Sequence, residues 1–249
     1  MRIAVAGGTG MVGHHVTASA QQAGHEVVVL SRSRGVDVLS GEGLAEALAG
    51  VDVVIDTANP DTVEEGPATE FFTQEATALQ RAGSETGVRH IVTLSIVGID
   101  KTSSFGYYNA KLAQERAAAA GPVPSTVMRA TQFYELPGQL IGLTRQDSQA
   151  QVLDLGRCQP VAARTVGEVL VEVAEGTPAG RAPDLAGPEQ ANLVALGQAF
   201  VEHRHAAIEL HPIEVGIPAG AMLPESGARI QGPTFEEWLA SDDAAALPL

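Results

Sequence analysis

The stretch IAVAGGTGMVG at residues 3–13 decides the fold. It joins a short apolar run to a helical pattern through three glycines, spaced Gly7-x-x-Gly10-x-x-Gly13. In such a turn one glycine makes the bend, one lets the backbone approach a pyrophosphate, and one lets the helix pack on the strand. The helix N-terminus then offers free N–H groups and the positive end of its dipole to phosphate. The stretch predicts a dinucleotide-binding turn, with a merely tight strand-to-helix turn as the alternative.

Short apolar runs alternate with helical patterns through the first half of the chain. The pattern predicts strands at residues 3–6, 26–30, 52–55, 89–95 and 125–130, and helices at residues 11–23, 68–86 and 107–120. Apolar strands that alternate with helices are typical of a parallel sheet covered on both faces, and right-handed crossovers make such a sheet doubly wound. We therefore expect an α/β, Rossmann-like, doubly wound parallel sheet with a small C-terminal substrate lobe.

The second half is less regular. Helices are predicted at residues 166–175, 192–204 and 235–240, a strand at 207–212 and a loop at 218–232. Trp238 is expected to anchor the last helix by packing. A length of 249 residues fits a single NAD(P)-binding domain. Residues 1–135 would form its dinucleotide-binding core, and residues 136–249 would complete that core and form the lobe.

Charge and composition exclude several classes of partner. Lys plus Arg total 15 against 30 Asp plus Glu, so the net charge is −15. This argues against nucleic acid and anionic membranes, which need a basic surface, but not against a small anionic ligand. No apolar run approaches the roughly 18 residues of a membrane span. We expect a cytoplasmic monomer or homodimer that binds a small-molecule substrate.

Cysteine and histidine give no signal of a redox or metal site. Cys158 is the single cysteine, which excludes an intrachain disulfide, and it is expected to be an inert buried thiol. His203, His205 and His211 lack the spacing of a known metal geometry, and no metal is predicted.

The end of the second predicted strand bears on the choice of nucleotide. An acid at this position binds the ribose 2′-OH of NAD, whereas an arginine accommodates the 2′-phosphate of NADP. The strand at residues 26–30 is followed by Ser31, Arg32, Ser33 and Arg34, which form a suitable phosphate cradle. Asp37, expected on a further short strand, is the contrary signal. NADP(H) is therefore favoured over NAD(H), and a solvated surface turn is the alternative.

Tyr107 and Lys111 are the main catalytic candidates, because a spacing of four places them on one face of a helix. A nearby ammonium favours the phenolate and would bring the tyrosine pKa toward a useful range. Ser95 ends the preceding strand and is expected at the same site. The three side chains together could polarise a carbonyl, exchange a proton with it and hold a ribose. A half-buried tyrosine with a surface lysine is the structural alternative.

These residues resemble the short-chain dehydrogenase/reductase superfamily, in particular its atypical, NmrA-like branch. The similarity extends over residues 1–137 and includes the glycines, Arg32, the segment GVRHIVTLS at 87–95, the Tyr107/Lys111 pair and the segment MRATQF at 128–133. The resemblance implies a Rossmann fold that binds NADP(H). It also implies that Tyr107 donates or accepts the proton, that Lys111 binds the ribose, and that residues 56–59 pass under the cofactor.

The turn, the strand ends and the resemblance together give a set of cofactor-binding candidates. They are Gly7, Thr9, Gly10, Met11, Val12, Gly13, Ser31, Arg32, Arg34, Thr57, Ala58, Asn59, Lys111, Thr131 and Phe133. Phe133 and Tyr134 are expected either to line a pocket for an aromatic or quinone-like substrate or to form the core of the lobe.

Ile96 follows Ser95 where relatives often carry a second serine. If the second position holds the catalytic hydroxyl, Ile96 has replaced it. The sequence predicts an NADPH-dependent reductase of an uncharged carbonyl, quinone or conjugated acceptor. The alternative is a non-catalytic NADP(H)-binding redox sensor of the NmrA type, with epimerase or dehydratase chemistry less favoured.

Overall fold

The computed structural model describes residues 1–102 and 104–248. The strands are β1 (Arg2–Ala6), β2 (Glu26–Leu30), β3 (Val53–Asp56), β4 (His90–Ile96), β5 (Ser125–Ala130), β6 (Gln149–Asp154), β7 (Arg157–Cys158), β8 (Gly180–Arg181), β9 (Leu185–Ala186), β10 (Ala191–Asn192), β11 (Glu209–Glu214) and β12 (Arg229–Ile230). The helices are α1 (Met11–Gln22), α2 (Leu44–Ala47), α3 (Glu65–Thr86), α4 (Gly106–Ala120), α5 (Glu135–Thr144), α6 (Ala163–Glu175), α7 (Leu193–His203), α8 (Phe235–Leu239) and α9 (Asp242–Ala245). Single 3₁₀ turns occur at Arg32–Arg34 and Ile99–Lys101.

The chain divides into two compact units that are discontinuous in sequence. The first comprises Met1–Ile96, Gly106–Arg129 and Arg164–Pro183, and the second contains the described residues of Val97–Phe105, Ala130–Ala163 and Asp184–Leu249.

The first unit is built on a parallel sheet. Strand β1 pairs in parallel with β2 on one side and β3 on the other, β3 pairs in parallel with β4, and β5 follows with β8 at its side. Ile3, Ala4, Val5 and Ala6 are all fully buried. Because successive side chains of a strand point to opposite faces, both faces of the sheet are covered. The predicted Rossmann-like, doubly wound fold is confirmed.

The second unit combines short strand pairs with helices. β9 pairs in parallel with the end of β5, where Leu185 lies opposite Ala130, and also pairs in parallel with β12. β6 pairs in parallel with β11. Tyr134 and Trp238 are buried, with ring centroids 5.6 Å apart. Trp238 therefore has the expected packing role, and Tyr134 belongs to the core rather than to the surface of a pocket.

The sequence located the strands and the long helices of the first half to within a few residues. Several elements were not predicted, namely α2, α5, α9 and β6 to β10. The structure also corrects two expectations: the stretch expected to be a loop at residues 218–232 contains β12, and Asp37 precedes a turn instead of lying in a strand. Pro137 and Gly138 are poor helix formers, so the sequence pattern does not predict α5. The helix forms because proline is tolerated in the first turn of a helix. The Asp37 carboxylate accepts a hydrogen bond from the Leu39 N–H at 2.9 Å, which favours that turn.

No helix of the described residues has the length and apolar character that crossing a membrane requires. Within residues 1–102 and 104–248, no group of three or more His, Cys, Asp or Glu side chains is arranged to hold a metal ion. Cys158 is buried, and burial raises the pKa of its thiol to about 12, which agrees with the expected inert thiol.

Candidate functional site

The glycine turn has backbone geometry that larger residues cannot adopt. Gly7 has φ of 70°, and a Cβ there would lie 2.8 Å from the backbone of Ala58. A Cβ on Gly13 would lie 2.1 Å from the carbonyl oxygen of Gly7, so α1 begins in direct contact with the turn. Gly10 is the N-cap of α1 and supplies no side-chain cap. The first N–H groups of the helix therefore remain available to an anion.

The end of β2 presents two arginines. Ser31 precedes the 3₁₀ turn Arg32–Arg34, and the hydroxyls of Ser31 and Ser33 lie 3.0 Å apart. Both arginines are exposed. Among the described residues, no acidic side chain forms an ion pair with Arg32 or Arg34. Two guanidinium groups without acidic partners suit a phosphate ligand.

The residues after β3 are held against the glycine turn. Thr57 donates a hydrogen bond from Oγ1 to the Ala6 carbonyl at 2.8 Å, and its N–H donates to the same oxygen at 3.0 Å. The Ala58 N–H donates to Asp56 Oδ1 at 3.1 Å. This fixed backbone leads directly to Asn59, whose side chain is exposed.

Tyr107 lies in the first turn of α4 with its phenol half-buried. Its hydroxyl donates a hydrogen bond to Asn59 Oδ1, and its ring packs edge-on against Phe72, with centroids 5.8 Å apart. Burial raises the pKa of the phenol above its ordinary value. This corrects the expectation that Lys111 would lower the pKa.

Lys111 lies one turn further along α4 and is buried, contrary to the alternative of a surface lysine. Its ammonium donates to the Leu94 carbonyl at 2.8 Å and to Gln114 Oε1, and it lies 4.5 Å from the centre of the Phe72 ring. Burial lowers the pKa of Lys111, while the charges of Asp56, Glu75 and Glu115 oppose that shift.

Ser95 lies inside the protein, with an exposed fraction of 1%. Its hydroxyl has no hydrogen-bond partner in the part of the chain that the structure describes. The next residue, Ile96, is half-buried, and strand alternation directs the two side chains to opposite faces of the sheet. Ser95 therefore lies in the interior of the first unit, and its participation in the site with Tyr107 and Lys111 stays a prediction.

Thr131 and Phe133 belong to the second unit. Thr131 is buried and donates from Oγ1 to the Gln159 carbonyl at 2.6 Å. Phe133 is half-buried and forms a parallel bridge with Val161. Contact with a nucleotide stays a prediction for these two residues and for the remaining candidates, which lie in the first unit. These are Gly7, Thr9, Gly10, Met11, Val12, Gly13, Ser31, Arg32, Arg34, Thr57, Ala58, Asn59, Ser95, Tyr107 and Lys111.

The profile of a family described as NAD(P)H-binding matches residues 33–176, more than half of the sequence. The chain belongs to this NAD(P)H-binding family. This confirms that the chain is of the predicted NAD(P)-binding type, and its Rossmann-like fold agrees with the resemblance to short-chain dehydrogenases/reductases. No curated protein matches the sequence significantly.

Solved structures with the fold of this NAD(P)H-binding protein share little of its sequence. A dTDP-4-dehydrorhamnose reductase from Bacillus anthracis in complex with NADP has a TM-score of 0.74 at 12% identity, with 96% of each chain covered. A short-chain dehydrogenase/reductase superfamily protein from Agrobacterium tumefaciens with bound NAD has a TM-score of 0.70 at 16% identity, covering 99% of this chain and 97% of the other. A UDP-glucose 4-epimerase from Thermus thermophilus in complex with NAD has a TM-score of 0.69 at 18% identity, covering 90% and 89%.

The NAD(P)H-binding protein also contains buried polar residues that sequence reasoning missed. Glu75 of α3 and Gln114 of α4 are both 0% exposed and lie beside Asp56 and Lys111. A signal for Glu75 exists, because it lies three residues after Phe72 and four before Leu79, both fully buried. A carboxyl on the apolar stripe of a helix needs a partner in the interior.

Proposed function

We propose that the protein is an NADPH-dependent reductase of a small uncharged carbonyl, quinone or conjugated acceptor. The observation that carries the proposal is the backbone of the glycine turn. The left-handed backbone of Gly7, the close contact between Gly13 and the Gly7 carbonyl, and the uncapped N-terminus of α1 fit a turn that binds a pyrophosphate. The bound dinucleotide would supply a hydride, and the protein would supply orientation and a proton.

NADP(H) fits the end of β2 better than NAD(H). Arg32 and Arg34 would bind the 2′-phosphate with charge-assisted hydrogen bonds, because no described acid competes for them. Asp37, the contrary signal, uses its carboxylate in a local turn.

Tyr107 would donate the proton to the acceptor oxygen. Its raised pKa keeps the phenol protonated at neutral pH, which suits a reduction, in which the developing oxyanion takes up a proton. Asn59 Oδ1 accepts the phenol hydrogen and gives it a fixed direction. An acceptor oxygen would replace Asn59 as the partner of this hydrogen. Lys111 would bind the nicotinamide ribose.

The test is NADPH oxidation with a panel of quinones and aldehydes, comparing the wild type with Tyr107→Phe. Loss of a general acid lowers turnover by about a hundredfold or more, while NADPH affinity stays within a few-fold. Tyr108→Phe is the matched control, because it removes a phenol hydroxyl from the adjacent position of α4. A Tyr107→Phe variant as active as the wild type would contradict the assignment.

A second candidate function is non-catalytic NADP(H) sensing. It is favoured by the buried Ser95, the apolar Ile96 that follows it, and a Lys111 ammonium that contacts internal groups. Tight NADPH binding without oxidation of any acceptor in the panel would support this candidate over the reductase.

A further inference from the structure

Four polar side chains meet in the interior of the first unit, and we call them the carboxyl–lysine cluster. They are Asp56 at the end of β3, Glu75 on α3, and Lys111 and Gln114 on α4. Each is nine-tenths or more buried. Neither the glycine turn nor the proposed proton transfer from Tyr107 explains why two carboxyls and an amide surround this lysine.

Gln114 is the link within the cluster. Its Nε2 donates to Asp56 Oδ2 at 2.9 Å and, more weakly, to Glu75 Oε2 at 3.4 Å. Its Oε1 accepts from the Lys111 ammonium, which also donates to the Leu94 carbonyl of β4. The amide therefore contacts both carboxyls at one end and the ammonium at the other. No donor or acceptor among the described residues lies within hydrogen-bond distance of Glu75 Oε1.

The charges of the cluster balance only if one of its two carboxyls is protonated while Lys111 is charged. Two ionised carboxyls and one ammonium would leave a net negative charge in the interior, which is costly. Burial, followed by the charge of Asp56, raises the pKa of Glu75 well above its ordinary value. Burial also raises the pKa of Asp56, but the Lys111 charge opposes that shift. The proton therefore resides on Glu75.

The surrounding charged groups do not change this balance. Glu115, also on α4, acts on Lys111 but forms an ion pair with Arg129 of β5, with two N···O distances of 2.7 Å. β4 contributes a backbone carbonyl, that of Leu94.

We propose that Asp56 and Gln114 are positioning residues that hold Lys111 charged and oriented, and that Glu75 lies beside them as a neutral acid. This deepens the proposed function and rests on it for the contact between Lys111 and the ribose. Asp56 extends the effect to Tyr107, because its Oδ1 accepts from Ala58 N–H and so fixes the segment that leads to Asn59. Loss of Asp56 affects both groups, whereas replacement of Glu75 by its neutral amide analogue affects neither.

The charge of Lys111 is measured directly, without nucleotide, by NMR of protein with ¹³C-labelled lysine. Lys101 and Lys111 are the two lysines, so two Cε signals are expected, and Lys101→Arg assigns them. At pH 7, Glu75→Gln leaves the Lys111 signal where the wild type has it. Asp56→Asn made in the Glu75→Gln background moves it toward the neutral amine, because no carboxylate is then left as a counter-charge and the acid dissociation constant rises by about tenfold or more.

NADPH binding, measured by nicotinamide fluorescence, tests the same variants. Asp56→Asn in the Glu75→Gln background weakens binding by about tenfold or more, as expected for loss of a charged hydrogen bond, and Glu75→Gln alone changes it less than about twofold. Glu85→Gln, an exposed carboxylate on the same helix, is the control. If Asp56→Asn does not fold, Gln114→Met replaces it, with the same expectation for the Lys111 signal and for NADPH.

The outcomes separate this inference from the proposed function. An unmoved Lys111 signal in the double variant, or one that moves equally in Glu75→Gln alone, overturns the positioning role whatever the enzyme does. A moved signal with unchanged NADPH affinity keeps the charge assignment and contradicts the ribose contact of Lys111.

Discussion

Arg32 and Arg34, at the end of β2, and Lys111, inside α4, are cations of the same unit in opposite surroundings. The arginines are exposed and have no acidic partner among the described residues, whereas Lys111 is 5% exposed and interacts with Asp56 and Glu75. The arginine charges are available to a ligand from solution. The lysine charge is largely balanced by the interior, so its contribution to a ligand depends on residues that the ligand does not touch.

Removal of Lys111 is expected to have the largest effect on the free energy of unfolding. Lys111→Met leaves the Asp56 carboxylate without a counter-charge, and a broken buried ion pair costs about 3–5 kcal/mol in the free energy of unfolding. Urea unfolding at pH 8 measures this loss, which becomes smaller at pH 5 because Asp56 takes up a proton. Lys101→Met is the control, since Lys101 lies 3.9 Å from Glu225 near the surface and surface pairs contribute about 0–1 kcal/mol. Equal stability of the two variants would show that the cluster does not depend on its ammonium.

Glu135 provides a buried carboxyl without a nearby lysine. It accepts hydrogen bonds from Ala163 N–H and Trp238 Nε1, each at 3.1 Å, yet burial raises its pKa to about 7. The folded state therefore holds this proton more tightly than the unfolded state, so the stabilising contribution is complete below about pH 4.5 and is lost as the pH rises through about 7.

The expected result is a decrease of the melting temperature on the order of 5 °C between pH 5 and pH 8 that Glu135→Gln removes. Thermal unfolding followed by circular dichroism measures it, with Glu237→Gln at an exposed position for comparison. A Glu135→Gln variant that keeps the full pH dependence of the wild type would contradict the raised pKa.

Arg32→Ala tests whether an exposed arginine at the end of β2 binds the 2′-phosphate of NADP. It should weaken NADP binding by about tenfold, because a charge-assisted hydrogen bond to the 2′-phosphate is lost, and leave NAD binding nearly unchanged. Calorimetric titration with both nucleotides measures the difference, and increasing salt should reduce it. Unchanged NADP affinity would exclude Arg32 from the 2′-phosphate site.

Asn59→Ala is expected to have the smallest effect on stability. It removes the acceptor of the Tyr107 hydroxyl at an exposed position, so the free energy of unfolding should change by less than about 1 kcal/mol. Ultraviolet titration of the phenol in this variant checks whether Asn59 influences the pKa of Tyr107. A loss of several kcal/mol would show that Asn59 has a structural role that its exposure does not indicate.

The features predicted correctly depend on neighbours in sequence. The spacing of Gly7 and Gly13 and the position of Arg32 after β2 are local patterns, and the structure gives each its physical reason. The helix predicted to end at residue 86 does end there, and Gly87 follows it with φ of 83°.

The features that sequence reasoning missed depend on distant residues. Glu75 and Asp56 are separated by 19 positions, and only the packing of α3 on the sheet brings them together. The raised pKa of Tyr107 could not be predicted for the same reason, because it follows from burial against Phe72 rather than from the Lys111 spacing. Ser95 has the expected strand position, but burial is a tertiary property that this position does not encode.

The discontinuity of the first unit has a consequence for how the protein is made. Its third segment supplies β8, which pairs with β5, and most of α6, where Gly167 packs so closely that a Cβ would lie 2.8 Å from the Cβ of His15. During translation, the glycine turn is synthesised first, yet the helix that covers α1 emerges from the ribosome some 150 residues later. A fragment ending near residue 135 would expose the α1 surface that Gly167 covers and leave β5 without β8.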